Sequence, residues 1–162
     1  MSENPPPLGT REAFGAAVRW GFESAIADGA RRITCVDRNF EDWPLDDAAL
    51  LHGLTAWLRL PLRCLVLLAA SYDTVPQRLP RFTGWRRDWA HAIQALQAPQ
   101  EFAADLPTLL LDDRRVSVHL VDPVHWRGHA ASDARVRLLW QERVDVVLQR
   151  SEPAFAITAL GL

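Results

Sequence analysis

The sequence contains no lysine, because all 18 of its basic residues are arginine. This absence excludes chemistry that needs a lysine from this chain, namely Schiff-base catalysis and a phosphate-binding P-loop. Long hydrophobic runs are missing too, and the longest, residues 64–70, is far too short to cross a bilayer. The opening MSENPPPLG lacks the basic and apolar regions of a secretory signal. We therefore expect a cytoplasmic protein that does not associate with membranes.

Cysteine is scarce, and a strong excess of either charge is absent. Cys35 and Cys64 both lie in apolar, strand-like runs, which favours two buried thiols that act as small hydrophobes. The alternative, a disulfide or redox pair, is disfavoured in a reducing compartment. A length of 162 residues indicates one domain. Its net charge of −2 gives no overall attraction to nucleic acid.

Apolar periodicity predicts an α/β domain. Residues 1–8 are expected to form a disordered leader, and residues 9–162 one domain with a mixed, mostly parallel sheet and helices on both faces. Thr10 is expected to cap the first helix, and Asp46 or Asp47 the second. Strands are predicted at residues 32–37, 62–70, 93–96, 108–111 and 115–121.

The last part of the chain has the clearest helical periodicity. Residues 122–132 are expected to form a loop, after which Ser132 caps a long helix. Residues 154–162 are expected to form a strand or a docked tail. The predicted apolar stripe of the helix consists of Val136, Leu139, Trp140, Val144, Val147 and Leu148.

The order of these elements, with the phrase TLLLDDRRVSVHL, resembles a phospholipase D-like domain over residues 9–162. The resemblance is closest to small bacterial single-domain relatives with a degenerate motif. Active members of the superfamily carry H-x-K-x-x-x-x-D, in which the histidine attacks phosphorus, the lysine stabilises charge and the aspartate orients the imidazole. In this chain the corresponding positions are Asp105, Pro107 and Asp112, so only the aspartate matches.

The resemblance therefore implies a pseudoenzyme, with no catalytic residue and no cofactor. A carboxylate at Asp105 would repel a phosphodiester, and Pro107 offers neither a charge nor an N–H group. We expect a non-catalytic binding or scaffold protein, and the resemblance implies a homodimer that uses the cleft face. The alternative enzyme reading is a residual phosphodiesterase or nuclease with His125 or His129 as nucleophile.

The loop after the first strand, DRNFEDWP, is the first candidate ligand-binding segment. Asp37, Arg38 and Asn39 follow a strand on the side where open α/β sheets tend to bind ligands. The alternative is that Trp43 and Leu45 pack against the start of the second helix while Asp46 caps it.

The segment RLPRFTGWRRDWAH, residues 78–91, interleaves arginines with aromatic residues. Arg81, Arg86 and Arg87 are candidates for binding nucleic acid or another anionic ligand by charge and stacking. The alternative is that the aromatic residues belong to the core and the arginines form a solvated rim. The aromatic residues at helical spacing are Phe82, Trp85 and Trp89.

The sequence gives little support for a metal site or for a serine nucleophile. His119, His125 and His129 with Asp122 suggest a metal site, but the glycine-containing loop between the last two histidines argues against helical alignment, so no metal is expected. His119 alternates with apolar neighbours and is interpreted as an outward strand residue. No serine lies in a G-x-S-x-G turn, so a serine nucleophile is not supported.

Overall fold

The structure is a computed structural model that describes residues 4–155. Its strands are β1 (Arg32–Asp37), β2 (Cys64–Ala69), β3 (Ile93–Gln97), β4 (Thr108–Asp112), β5 (Val116–Asp122), β6 (Arg127–Ser132) and β7 (Glu152–Pro153). Its helices are α1 (Arg11–Ala27), α2 (Ala48–Leu58), α3 (Val75–Arg78), α4 (Pro80–Asp88), α5 (Gln100–Ala103) and α6 (Ala134–Leu148), with a 3-10 turn at Ala90–Ala92. Most of the tail predicted at residues 154–162 lies outside the described residues.

The strands form one mixed sheet in the order β6-β5-β4-β1-β2-β3-β7. The predicted α/β class is thereby confirmed. The expectation of a mostly parallel sheet is wrong, because only β1–β2 and β2–β3 pair in parallel and the other four pairings are antiparallel. One of the antiparallel pairings involves β6, which occupies most of the segment predicted as a loop and pairs with β5. Its sequence, RGHAAS, has too few β-branched or aromatic residues to signal a strand.

Local capping explains where the long helices begin. The Thr10 hydroxyl accepts a hydrogen bond from the N–H of Ala13 at 3.0 Å, and Asp47 accepts one from Ala49 at 3.2 Å. Both predicted starts are confirmed, with Asp47 rather than Asp46 as the cap of α2. The prediction for α6 is wrong by one residue. Asp133, whose carboxylate accepts two backbone N–H bonds, caps α6 in place of Ser132.

One face of the sheet is covered by α1, α2 and α4. The inward side of α2 is buried as its periodicity predicts, and Trp57 donates a hydrogen bond from its indole N–H to the carbonyl of Ala30 at 2.7 Å. Trp43 and Leu45 are buried in the same cluster, and Leu8 packs against it. Fully buried large side chains on this face include Phe14, Phe22, Phe40, Trp57, Phe82 and Leu54.

The opposite face packs mainly against α6. Val144 and Val147 are buried there, whereas Trp140 and Leu148 are half-buried. The predicted stripe is wrong at its N-terminal end, because Leu139 is 61% exposed and Val136 is exposed as well. The helix therefore covers the sheet only along its second half.

The two cysteines lie on neighbouring strands and are both free. Cys35 is buried in β1 and Cys64 is half-buried at the start of β2. Burial raises the pKa of both thiols above the ordinary value, which keeps them protonated and unreactive. The predicted reading as a buried small hydrophobe is confirmed for Cys35, whereas Cys64 is only half-buried.

Candidate ligand-binding cleft

An open cleft of about 640 Å³ lies at the edge of the sheet where β1 and β5 end and β4 begins. It brings together the loop after β1 and the segment before β4, which are far apart in the sequence. Asp37, Arg38, Asn39, Asp105 and Pro107, all singled out by their sequence context, line this one cleft. The remaining lining residues are Asp42, Ala104, Leu106, Thr108, His119, Leu120, Val121 and Pro123.

The loop after β1 is held by hydrogen bonds of its own. Asp37 accepts one from the Thr108 hydroxyl at 2.5 Å and one from the backbone N–H of Phe40 at 2.8 Å. Phe40 adopts a φ of 61°, which is uncommon for an aromatic residue, and its ring is buried in the first core cluster. The side chain of Asn39 accepts from the N–H of Glu41 at 3.1 Å. Asp37 therefore shapes the cleft and has little remaining capacity to bind a ligand.

Asp112 does not join the other two motif positions. It lies at the far end of β4, where it is buried and its Oδ1 accepts hydrogen bonds from the N–H groups of Arg114 and Val116 at 2.9 and 2.8 Å. Burial raises the pKa of this carboxyl above its ordinary value. The residue caps the β4–β5 turn, while Asp105 and Pro107 face the cleft at the opposite end of the strand.

An apolar pocket of about 350 Å³ adjoins the cleft beneath α6. The two cavities share Asp105, Leu106 and Pro107, so they meet at the segment that precedes β4. The volume falls within the roughly 300–1,000 Å³ of ordinary small-molecule sites. The other residues that line the pocket are Val36, Leu68, Trp140, Arg143, Val144 and Val147.

His119, which lines the cleft, contacts Trp140 of α6, which lines the pocket. Its ring centroid lies 4.1 Å from that of Trp140, and the residue is half-buried rather than simply outward-facing. Burial, followed by the positive potential of His129 and Arg143, lowers the pKa of His119 to about 4. The imidazole is therefore neutral at pH 7 and can donate one hydrogen bond and accept another.

Sequence reasoning missed the contribution of α6 to this site. Trp140, Arg143, Val144 and Val147 are spaced three or four residues apart, so they share one helical face. The predicted apolar stripe already grouped Trp140, Val144 and Val147, but it omitted Arg143, and no local signal links that face to Asp105. The guanidinium of Arg143 lies over the Trp140 ring, 4.8 Å from its centroid.

The charged side chains of the two cavities are only partly paired. Asp42 forms an exposed ion pair with Arg11 at 3.3 Å, and Asp37 is engaged as described above. Over residues 4–155, the side chains of Arg38, Asp105 and Arg143 make no ion pair and no hydrogen bond. The sites therefore retain two guanidinium groups and one carboxylate that can interact with a ligand.

The three candidate arginines of α4 divide into two environments. Arg81 and Arg87 are exposed and make no ion pair with any described residue. The expectation of a solvated rim is wrong for Arg86, which is buried, with its guanidinium 4.7 Å from the centroid of the Phe155 ring. The reason is helical spacing, because Arg86 follows the buried Phe82 by four residues and points to the same side.

The remaining histidines lie outside the lining of the cleft. His125 contacts Asp122 at 2.8 Å in the exposed β5–β6 turn, and His129 pairs with His119 across β5 and β6. Among the residues that the structure describes, no group of three or more His, Cys, Asp or Glu side chains could hold a metal ion. No described helix is both long and apolar enough to span a bilayer.

Comparison with solved structures gives a distant neighbour. TrmBL2, an archaeal chromatin protein with a novel mode of DNA binding, superposes with a TM-score of 0.64 at 13% sequence identity. The match covers 94% of this chain and 56% of that chain, so the present chain spans just over half the length of TrmBL2. No family model and no curated protein sequence matches the chain. At this identity the similarity extends to the fold alone.

Proposed function

We propose that this chain is a non-catalytic phospholipase D-like binding domain whose ligand occupies the cleft and the adjoining apolar pocket. The observation that carries the proposal is the position of Asp105 and Pro107. Both residues line both cavities, at the motif positions where the resemblance implies a nucleophile and a positive charge. A cleft that has space, an apolar wall and unpaired charges can bind a ligand without a group that attacks it.

The absence of catalysis is tested with a generic phosphodiester, bis(p-nitrophenyl) phosphate, assayed with and without added divalent metal. We expect no turnover above the buffer rate, because the Asp105 carboxylate would repel the phosphodiester and Pro107 supplies no positive charge to stabilise the phosphoryl group. Metal-independent turnover that disappears in His125→Ala or His129→Ala would instead favour the residual phosphodiesterase.

Occupation of the pocket is tested with 1-anilinonaphthalene-8-sulfonate, an apolar anionic dye. We expect its fluorescence to rise with the native protein and to fall at least fivefold with Val144→Phe, which fills the pocket. Val146→Phe is the matched control, because Val146 lies on the same helix and is 55% exposed. Equal fluorescence from both variants would mean that the dye binds elsewhere and would contradict the proposal.

A second candidate function is nucleic-acid or anionic-ligand binding through α4. Two observations favour it, namely the exposed and unpaired Arg81 and Arg87, and the DNA binding of the distant structural neighbour TrmBL2. Such binding weakens steeply with salt, because each phosphate contact releases counterions. Fluorescence anisotropy of a labelled 20-mer at rising salt tests it. The double variant Arg81→Gln/Arg87→Gln should lower the affinity, whereas Arg135→Gln on α6 should not. Binding that is insensitive to salt would reject this candidate.

The resemblance also implies a homodimer that uses the cleft face, and we propose this assembly on that ground. The mass of one chain is 18.2 kDa, so light scattering distinguishes one chain from two. A single-chain mass across the micromolar concentration range would reject the dimer without affecting the proposed ligand site.

A further inference from the structure

We infer that the ligand is a free α-amino acid with a large apolar side chain. This inference rests on the proposed binding function and adds the chemical class of the ligand. Three properties of the cleft and the adjoining pocket support it, namely an available carboxylate, available guanidinium groups and an apolar wall. The two cavities share Asp105 as a lining residue.

The charges provide the first argument. Asp105 lines both cavities, Arg38 lines the cleft and Arg143 lines the pocket. Among the described residues, Asp105 and Arg38 have no ion-pair or hydrogen-bond partner for their side chains, and Arg143 contacts only the ring of Trp140. An amine alone would leave the guanidinium of Arg38 without a partner. A carboxylate alone would lie beside Asp105 and be repelled by it. A zwitterion presents both signs on neighbouring atoms, so its ammonium can pair with Asp105 and its carboxylate with Arg38.

The shape of the cavity provides the second argument. The pocket of about 350 Å³ is bordered by the aliphatic side chains of Val36, Leu68 and Val144 and by the ring of Trp140. An apolar side chain that enters it gains roughly 25 cal/mol for each Å² removed from water. A sugar or a phosphate would leave this apolar surface without a partner.

His119 provides the third argument. Because its pKa is about 4, the imidazole adds no charge at pH 7, and the charge balance above is unaffected by it. It lines the cleft as a neutral group that can form hydrogen bonds, which suits a zwitterion better than a multiply charged anion.

The ligand class is tested by isothermal titration with four matched compounds. L-phenylalanine carries all three features, 2-phenylethylamine lacks the carboxylate, 3-phenylpropionate lacks the ammonium, and L-alanine lacks the large side chain. We expect L-phenylalanine to bind at least tenfold more tightly than each of the other three. If 3-phenylpropionate or 2-phenylethylamine binds as tightly as L-phenylalanine, the zwitterion is the wrong class.

Variants identify the two charge contacts separately. Arg38→Gln should weaken the three compounds with a carboxylate (L-phenylalanine, L-alanine and 3-phenylpropionate) at least fivefold and leave 2-phenylethylamine unchanged. Asp105→Asn should weaken only the three compounds with an ammonium (L-phenylalanine, L-alanine and 2-phenylethylamine). Arg32→Gln, an exposed arginine at the opposite end of β1, is the matched control. Equal losses for all compounds in either variant would contradict the assigned contacts.

The dye experiment separates the two levels of the proposal. If the dye fills the pocket but L-phenylalanine neither displaces it nor binds, the amino-acid class is wrong and the binding function remains. If the dye does not respond to Val144→Phe and no compound binds, both proposals are rejected.

Discussion

The two faces of the sheet differ in how completely they are covered. On the first face, α1, α2 and α4 enclose a large cluster in which Trp57, Phe22 and Phe82 are almost inaccessible to water. On the second face, Val144 and Val147 are the buried residues of α6. The apolar pocket lies beneath this helix, and the cleft adjoins the pocket. We therefore expect the first face to contribute more of the stability, whereas the second face leaves space for a ligand.

The attachment of α6 explains how the second face stays open. Near the start of the helix, Arg137 donates a hydrogen bond to the carbonyl of Asp112 at 2.8 Å. Near its end, Val144 and Val147 pack on the strands. Between these points, Trp140 contacts His119 and leaves the pocket beneath the helix unfilled. The helix is therefore held by Arg137 near its start and by Val144 and Val147 near its end, and the pocket lies beneath its second half.

The largest expected effect comes from removing an aromatic side chain of the closed face. Trp57→Ala should reduce the free energy of unfolding by about 3–5 kcal/mol, because it leaves a cavity and a buried carbonyl at Ala30 without its partner. Urea denaturation measures this loss. Trp140→Ala on the open face is the comparison and should cost less than half as much. Equal losses would mean that the two faces contribute equally.

A second prediction concerns the hairpin that flanks the open face. A Cβ atom at Gly128 would lie 2.1 Å from the backbone oxygen of His119, so Gly128→Ala must displace β6 and should cost about 1–3 kcal/mol. Thermal unfolding monitors the change. Gly53→Ala in α2 is the control, since its Cβ meets nothing within 4 Å and should stabilise the helix by up to about 1 kcal/mol. Similar changes in both variants would show that this close approach has no energetic effect.

A third prediction concerns the pH dependence of the open face. The pKa of His119 is about 4 in the folded protein and 6.5 ordinarily, so the unfolded chain binds more protons between these values. Stability should therefore fall as the pH drops from about 6.5 to 4. The expected loss is about 1–2 kcal/mol, below the full value of 1.36 kcal/mol per pKa unit, because the ring is only half-buried. Denaturant midpoints measured across this range provide the test.

The control for that prediction is His119→Gln, which cannot be protonated. Its stability should decline less over the same pH range. An identical decline in the native protein and the variant would assign the effect to other groups.

The smallest expected effect is at the exposed end of α6. Leu139 is 61% exposed, so Leu139→Gln should change the free energy of unfolding by no more than about 0.5 kcal/mol. Denaturation at two protein concentrations measures it. A larger loss that grows with protein concentration would mean that a second copy covers this face, which would support the proposed homodimer.

Local signals predicted the elements where a few neighbouring residues decide the structure. Thr10 caps α1 because its hydroxyl reaches an N–H three residues away, and the apolar spacing of α2 buries the side that it marks. The same reasoning failed for Ser132 and Asp133, which are adjacent and both able to cap. It also failed for β6, whose pairing with β5 depends on strand contacts rather than on its own composition.

The candidate site was predicted only in part. The loop after β1 was marked by its local composition, and Asp105 and Pro107 by the resemblance alone; the structure brings them into one cleft. The pocket under α6 and the burial of Arg86 were not predicted. Both depend on which neighbouring elements a helical face meets, and a single sequence does not carry that information.

Sequence alone determined the α/β class, the starts of α1 and α2, and the absence of a lysine for phosphoryl chemistry, because each follows from residue identity or short-range spacing. Tertiary structure decided that β4 pairs antiparallel with β1, and that Asp105 therefore lines one cleft with Arg38 and one pocket with the apolar face of α6. These contacts join segments far apart in the chain, and their formation depends on the packing of the whole sheet rather than on any local preference.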